Sequence, residues 1–330
     1  MSARKVMVTG GSGLIGSHLV DALLERGDEV HVFDCVPLSE AGNLRHSQDH
    51  AGLVYHQGDI RDETAVKAFY QPDADVVYHL ASVVGIEKYL ADPLALTDVS
   101  VGGTRTVLGL AREHGTRILF ASTSEVFGKN PDIPWTEESD RVLGSTSVDR
   151  WCYSTSKAAC EHMLYGVYRQ CQLPFTIVRF FNAYGPRQNP IFVVSQSVYR
   201  ALRGESPLLY DDGMMTRCFT FIEDVIQGVI LASESPQAVG ESFNLGNAVE
   251  VTMKYVVEQV CQQVGGVEYE YFDTEKKLGS VYEDIPRRVP SPEKASRVLG
   301  WRATTQVEEG IAKVIDWARA NPWWLTDGKK

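Results

Sequence analysis

The chain has 330 residues, 44% of them hydrophobic and 23% charged, with a formal net charge of −11. These proportions describe a soluble globular protein with ample chain for a sizeable core, as one large domain or two ordinary ones. The acidic balance argues against a nucleic-acid or anionic-membrane surface, which needs clustered Lys and Arg, so an anionic ligand would be met by a few local arginines. The six cysteines form no C-x-x-C pair and no metal-like cluster with His, so reduced, mostly buried thiols and no metal are expected. No apolar run reaches membrane length, and the first apolar segment is interrupted by glycines and His18, unlike a secretory signal; a cytoplasmic protein is expected.

Taken in chain order, the first elements form a strand, a tight turn and a helix. Val6-Met7-Val8 breaks into Thr9-Gly10-Gly11-Ser12-Gly13, and the apolar residues resume with helical spacing at Leu14, Ile15, Leu19, Val20, Leu23 and Leu24. Gly10 lets the turn leave the strand, and Gly13 lets a pyrophosphate approach the backbone. Gly16 lets the helix lie close on the strand, so that its start, with Leu14 and Ile15, offers free N–H groups to phosphate. The spacing is G-x-x-G-x-x-G, and ordinary strand-to-helix turns also use glycine. Weight comes from Glu29–Asp34, a second strand ending in a carboxylate 24 residues after Gly10. Asp34 there can accept both ribose hydroxyls of an adenosine, a cap or turn aspartate being the competing role. No Arg or Lys follows it closely, which favours NAD over NADP.

A polar loop (residues 37–52) precedes a third strand, Leu53–Gln57, and then Asp59 and Ile60. These two sit where a strand end could meet an adenine ring, the carboxylate on its amino group and Ile60 on its face. A helix cap is the competing role for Asp59, and Asp62 can supply that cap instead. Residues 75–82 form a fourth strand, whose end at Leu80, Ala81 and Ser82 would let a cofactor lie against it. His79 lies inside that strand and reads as a packed core residue, not a base. A long helix from about Pro93 to His114 is apolar on more than one side. It is followed by strand Arg117–Ser122, a helix from about Trp151 to Gln172 and strand Phe175–Phe180. Six strands alternating with helices describe an α/β fold, a doubly wound parallel sheet of the Rossmann type. Beyond Asn182 the pattern loosens, up to a last helix from about Thr305 to Ala320 stopped by Asn321-Pro322. We therefore expect a dinucleotide-binding domain over residues 1–182 and a smaller α/β substrate lobe over 183–330, with strands and helices partly interleaved. The ligand would sit between them, beyond the carboxyl ends of the strands.

Chemistry gathers at the end of the fifth strand. Ser122-Thr123-Ser124-Glu125 leaves it at the level of a nicotinamide, and Tyr153-Ser154-Thr155-Ser156-Lys157 opens the next helix. Tyr153 and Lys157, at i and i+4, share one helix face. An ammonium beside a phenol lowers its pKa and makes Tyr153 a general base, while Lys157 could also hold the nicotinamide ribose. Thr123 would add a hydrogen bond to the same substrate oxygen. Tyr-x-x-x-Lys by itself is common on amphipathic helices. After a dinucleotide turn and a hydroxyl-bearing strand end, it is specific.

Together these stretches resemble the extended short-chain dehydrogenase/reductase superfamily over essentially the whole chain. The resemblance is carried by Thr9-Gly10-x-x-Gly13-x-x-Gly16, Tyr153-x-x-x-Lys157, Arg179-Phe180-x-Asn182-x-Tyr184-Gly185-Pro186 and Arg217-x-Phe219. Within the superfamily the chain looks most like the UDP-glucuronate decarboxylases, including the decarboxylase domain of the lipid A aminoarabinose pathway, and like UDP-apiose/xylose synthases. Ser122–Gly128, Arg150-Trp151-x-Tyr153 and Tyr282-Glu283-Asp284-x-x-x-Arg288-x-Pro290-Ser291 carry that narrower match. The resemblance implies NAD-dependent oxidation at C4 of a UDP-hexuronate by Tyr153, Thr123 and Lys157. Decarboxylation would follow, with Ser124 and Glu125 managing protons and Arg288 on the carboxylate, to give UDP-xylose or a UDP-4-keto-pentose. It also implies Asn182 and Arg217 as UDP contacts, Tyr89 near the sugar, and a homodimer in which the long helix and the Tyr153 helix pair with their copies. By its type alone, an arginine in the pair Arg287-Arg288 is usually a solvated or salt-bridged surface residue.

The sequence also departs from the decarboxylase pattern. Ser100 stands where many relatives have Asn, and Phe192 where decarboxylases usually carry Arg. The loop Gly185-Pro186-Arg187-Gln188-Asn189-Pro190 looks more like that of UDP-sugar 4-epimerases. A 4-epimerase, a UDP-apiose/xylose synthase, a nucleotide-sugar 4,6-dehydratase and a non-catalytic NAD-bound module stay open as alternatives. Glu125 with Arg288 favours the decarboxylase over the epimerase, Phe192 pulls the other way, and joint retention of Thr123, Tyr153 and Lys157 argues for an enzyme.

Overall fold

The computed structural model describes residues 3–85, 91–273 and 285–327. The strands β1 (Lys5–Thr9), β2 (Glu29–Asp34), β3 (Leu53–Gln57), β4 (Val76–His79), β5 (Arg117–Thr123) and β6 (Phe175–Phe180) form one sheet with a seventh strand, Glu241–Leu245. Its order from one edge is Glu241–Leu245, β6, β5, β4, β1, β2, β3, with every neighbouring pair parallel. Alternation along the inner strands sends side chains to two buried faces, as a parallel sheet requires, while the edge strand β3 is only half-buried. Val6, Val8, Val30, Val32, Leu119 and Val178 face α1 (Leu14–Glu25) and the Ile222–Glu234 helix. Met7, Phe33, Val77, Ile118, Phe120 and Ile177 face the helices Gly103–His114 and Arg150–Cys171.

Two expectations are corrected. Among the described residues the sheet has seven strands rather than the six expected, because Glu241–Leu245 carries buried polar residues that break an apolar pattern. Ser242 and Asn244 are buried there; the Asn244 backbone N–H donates to Glu137 Oε1 (2.7 Å) and its side-chain amide to the Trp135 carbonyl (2.9 Å), while its Oδ1 has no partner among the described residues. The long helix is also not uniform: Pro93–Thr97 and Gly103–His114 are α-helical, and Asp98–Gly102 between them is a π-turn. Gly103 lies so close on Ile60 that a Cβ would meet its side chain at 2.8 Å, which fixes where the second half of this helix must sit. Ser100 is buried within the π-turn.

Beyond β6 the chain makes small two-stranded pairs, Ala183–Tyr184 with Thr220–Phe221 and Thr216–Cys218 with Glu250–Thr252. The last long helix, Val307–Ala320, seats Gly310 against Tyr184, whose hydroxyl a Cβ would meet at 1.9 Å. Among the described residues no helix is long and apolar enough to cross a membrane.

Candidate active site

The glycine turn is shaped by contact. Gly10 has φ +74°, and a Cβ on it would come within 2.8 Å of the Ala81 backbone, so the end of β4 lies directly on the turn. A Cβ on Gly16 would fall 2.1 Å from the Gly10 carbonyl oxygen. Gly13 differs: its nearest neighbour would be that same oxygen, at 3.4 Å. It caps α1 with no side-chain hydrogen bond to the helix end and no acidic residue in the first turn. The Leu14 and Ile15 end of α1 is thus neither capped by a side chain nor opposed by a first-turn carboxylate, which fits a pyrophosphate. Asp34 is buried at the end of β2, its Oδ2 accepting from the Ser12 N–H (2.9 Å) and its Oδ1 from the Val36 N–H (3.1 Å). Leu80 and Ala81 are held by Thr9, Leu80 through the Thr9 carbonyl (3.1 Å) and Ala81 through its hydroxyl (3.2 Å).

Asp59 and Ile60 have other neighbours. Asp59 is half-buried and takes both Nε and Nη2 of Arg61, the latter at 2.6 Å, which draws its carboxyl pKa down. Ile60 is buried beneath Gly103. Asp62 supplies the helix cap, accepting from the N–H groups of Thr64 and Ala65. His79 lies between Thr9 Oγ1 (2.7 Å) and Thr104 Oγ1 (3.0 Å), and burial pushes its pKa down to about 3. It is a neutral packing residue.

At the end of β5, Thr123 turns into a 3₁₀ segment, Ser124–Phe127, its hydroxyl accepting from the Glu125 N–H at 3.2 Å. Ser124 is buried in that segment. One helix turn brings Lys157 under Tyr153: its Nζ donates to the Ala121 carbonyl at 2.9 Å and lies 4.8 Å over the Phe120 ring. Burial lowers the Lys157 pKa to about 8. The Tyr153 phenol shares hydrogen bonds with Ser82 and Thr123. Burial, and then the Glu125 carboxylate, push its pKa up, the reverse of the lowering that Lys157 alone predicts. Ser82 was not singled out from the sequence as a partner of Tyr153.

Glu125 is gripped by two arginines. Arg150 Nη1 and Nη2 reach its carboxylate at 2.5 and 3.2 Å, and Arg288 Nη1 at 3.1 Å. Arg150 and Arg288 are both buried, at 1% and 8% exposure. Arg287 is the surface member of the basic pair, bound bidentately to Glu250. Arg288 is carried inward because its segment is pinned to Trp135, through Trp135 N–H to the Val289 carbonyl (2.8 Å) and Ser291 N–H to the Trp135 carbonyl (2.7 Å). The partnership of Arg150 with Glu125 was missed, although its position three residues before Tyr153 puts both on one helix face.

Arg217 is buried and donates to the Thr216 carbonyl (2.8 Å) and the Pro286 carbonyl (3.2 Å), which ties its strand to the segment that bears Arg288. Asn182, at φ +40°, donates to the Cys218 carbonyl at 3.0 Å. Arg179, from the same motif as Asn182, serves the core: it pairs with Glu161 (2.6 Å), which also accepts from Ser122. Phe192 caps the Val193–Leu202 helix, and Arg187 pairs with Asp21 of α1 at 2.6 Å. Tyr89, Tyr282, Glu283 and Asp284 lie outside the described residues.

The model of a family described as GDP-mannose 4,6-dehydratase matches residues 7–314. A UDP-N-acetyl-α-D-glucosaminuronate decarboxylase of Bacillus cytotoxicus is 32% identical, the match covering 96% of this chain and 98% of that one. UDP-glucuronic acid decarboxylase 1 of Xenopus tropicalis is 32% identical over 96% of this chain and 72% of its own. Among solved structures, a UDP-glucuronic acid 4-epimerase from Bacillus cereus, in complex with UDP-glucuronic acid and NAD, superposes with a TM-score of 0.83. It is 25% identical, and the match covers 96% of this chain and 99% of that one.

Proposed function

The chain belongs to the GDP-mannose 4,6-dehydratase family of NAD-dependent epimerases and dehydratases, and on that premise we propose that it is a UDP-hexuronate decarboxylase. The observation that carries this reading is the buried Arg288 at 3.1 Å from Glu125, at the strand end that also bears Thr123 and faces Tyr153. A guanidinium there matches a substrate carboxylate bidentately. The curated relatives named as decarboxylases of UDP-sugar acids support it.

The cofactor is NAD, held by the Gly10–Gly16 turn, the start of α1 and Asp34. When bound, it supplies the hydride acceptor for C4, later the hydride donor, and a positively charged ring. Tyr153 takes the C4 hydroxyl proton, steadied by Thr123 and Ser82, and Lys157 stands below it on the Ala121 carbonyl. Loss of that hydride and proton leaves a 4-ketone, β to the C6 carboxylate. The C5–C6 bond then breaks, CO₂ leaves, and its electron pair passes into the enolate of the ketone. Arg288 binds the carboxylate, and Ser124 and Glu125 manage the proton that C5 must regain. Arg217 and Asn182 serve the nucleotide. A homodimer through the Gly103–His114 and Arg150–Cys171 helices belongs to the same proposal.

A second reading, C4 epimerisation without loss of CO₂, is favoured by the 185–190 loop, by Phe192 at the head of its helix and by the likeness to the Bacillus cereus epimerase. Incubating the protein with NAD⁺ and UDP-glucuronate, or its 2-acetamido analogue, and following CO₂ and the sugar by NMR separates the two. The expected result is CO₂ with a UDP-pentose or its 4-ketone, abolished in Arg288→Met. UDP-galacturonate without CO₂ would establish the epimerase instead.

A further inference from the structure

The two arginines on Glu125 hold it in different ways. Arg150 is 1% exposed, belongs to the same helix as Tyr153 and grips the carboxylate with both terminal nitrogens, at 2.5 and 3.2 Å. Arg288 arrives from a non-helical segment and touches one oxygen with one nitrogen, at 3.1 Å. A forked guanidinium–carboxylate pair is stronger and more directional than a single contact. A second carboxylate entering the site therefore competes for Arg288 and not for Arg150. We propose that Arg150 is a positioning residue that retains Glu125 when a substrate carboxylate takes Arg288 from it, so that Arg288 exchanges one carboxylate for another on binding. The inference rests on the uronate reading above, because a neutral sugar brings no carboxylate and triggers no exchange.

The exchange has an energetic signature. With Arg150 in place, Glu125 gives up Arg288 and stays paired. Without Arg150, the same step withdraws a second guanidinium from a carboxylate that has already lost its forked partner, and separating buried charges is costly. The cost falls on binding of the uronate alone.

The test is titration calorimetry of the NADH-loaded protein, which has no hydride acceptor and so does not turn the ligand over, with UDP-glucuronate and UDP-glucose. Arg150→Met is expected to weaken UDP-glucuronate binding roughly tenfold to a hundredfold and UDP-glucose binding less than about twofold. Arg150→Lys, which keeps the charge and loses the fork, should recover part of the difference and serves if the methionine variant folds poorly. Adding Glu125→Gln to Arg150→Met removes the competing charge and should restore the preference for the uronate. Equal weakening of both ligands, or no restoration in the double variant, overturns the positioning role. Wild-type protein that does not prefer the uronate overturns the uronate reading itself, and the exchange with it.

Discussion

Among single residues, Lys157 carries the clearest solution signature. Its side chain is 2% exposed and its pKa stands at about 8, below the 10.5 of a solvated lysine, with burial as the cause. Between those values the unfolded chain holds a proton that the folded chain has released, so stability rises with pH across that window. Comparing wild type with Lys157→Met by urea unfolding at pH 7.5 and 9.5, the wild type should gain about 2 kcal/mol on the variant. A pH-independent difference would mean that Lys157 titrates like an exposed lysine. The residues the sequence made legible were those whose type is unusual for its element, such as a glutamate straight after a hydroxyl-bearing strand end. Arg150 escaped as Glu125's partner because a guanidinium at a helix start looks like an ordinary surface charge. Ser82 escaped as a partner of Tyr153 because a small residue at a strand end reads as room for a cofactor, and its hydroxyl carries no signature until the fold closes. The direction of the Tyr153 shift was unreadable as well, since it depends on burial and on Glu125, 28 positions earlier in the chain.

Among elements, the glycine turn separates two requirements that its sequence motif merges. Gly16 is demanded by the protein, because a Cβ would stand 2.1 Å from the Gly10 carbonyl. Gly13 faces an opening in which a Cβ meets nothing closer than 3.4 Å. Gly16→Ala should therefore cost about 1–3 kcal/mol, as overpacking does, and lower the melting temperature as well as NAD affinity. Gly13→Ala should leave thermal stability within about 1 kcal/mol, the scale of a helix-cap change, and reduce NAD affinity at least tenfold. Calorimetric melting and NAD titration of the two variants check this, and a Gly13→Ala variant with undiminished NAD binding would remove the turn from the cofactor site. Strands and helices with a clean period were legible to within a residue or two, except that β4 ends at His79, three residues before the expected Ser82. The π-turn at Asp98–Gly102 was not, because five residues that shift the hydrogen-bond register leave composition and apolar spacing untouched.

For the whole molecule, the question is whether residues 1–182 stand alone. Their strands and helices read as a complete doubly wound unit, yet the structure completes that unit from the other half. Glu241–Leu245 pairs in register with Thr176–Phe180 of β6 and covers its edge. Val225, Ile226 and Val229 of the Ile222–Glu234 helix share one core with Leu19, Val20 and Leu23 of α1 and with Val6, Val8 and Val178 of the sheet. Trp301 locks that helix from outside, its indole N–H donating to the Asp224 carbonyl at 2.8 Å. A fragment ending at 182 would bare an apolar sheet face and an unpaired parallel edge, both of which invite association. It should show no cooperative melting transition and no NAD binding. The intact chain should unfold in one step, with far-UV ellipticity and tryptophan fluorescence coincident. The fluorescence probe is apt because four of the six tryptophans, at 301, 317, 323 and 324, lie beyond residue 182. A soluble fragment 1–182 that melts cooperatively and binds NAD would make position 182 a true domain boundary. The return of residues 222–245 would then be a docking of one folded body on another, not the completion of a single core.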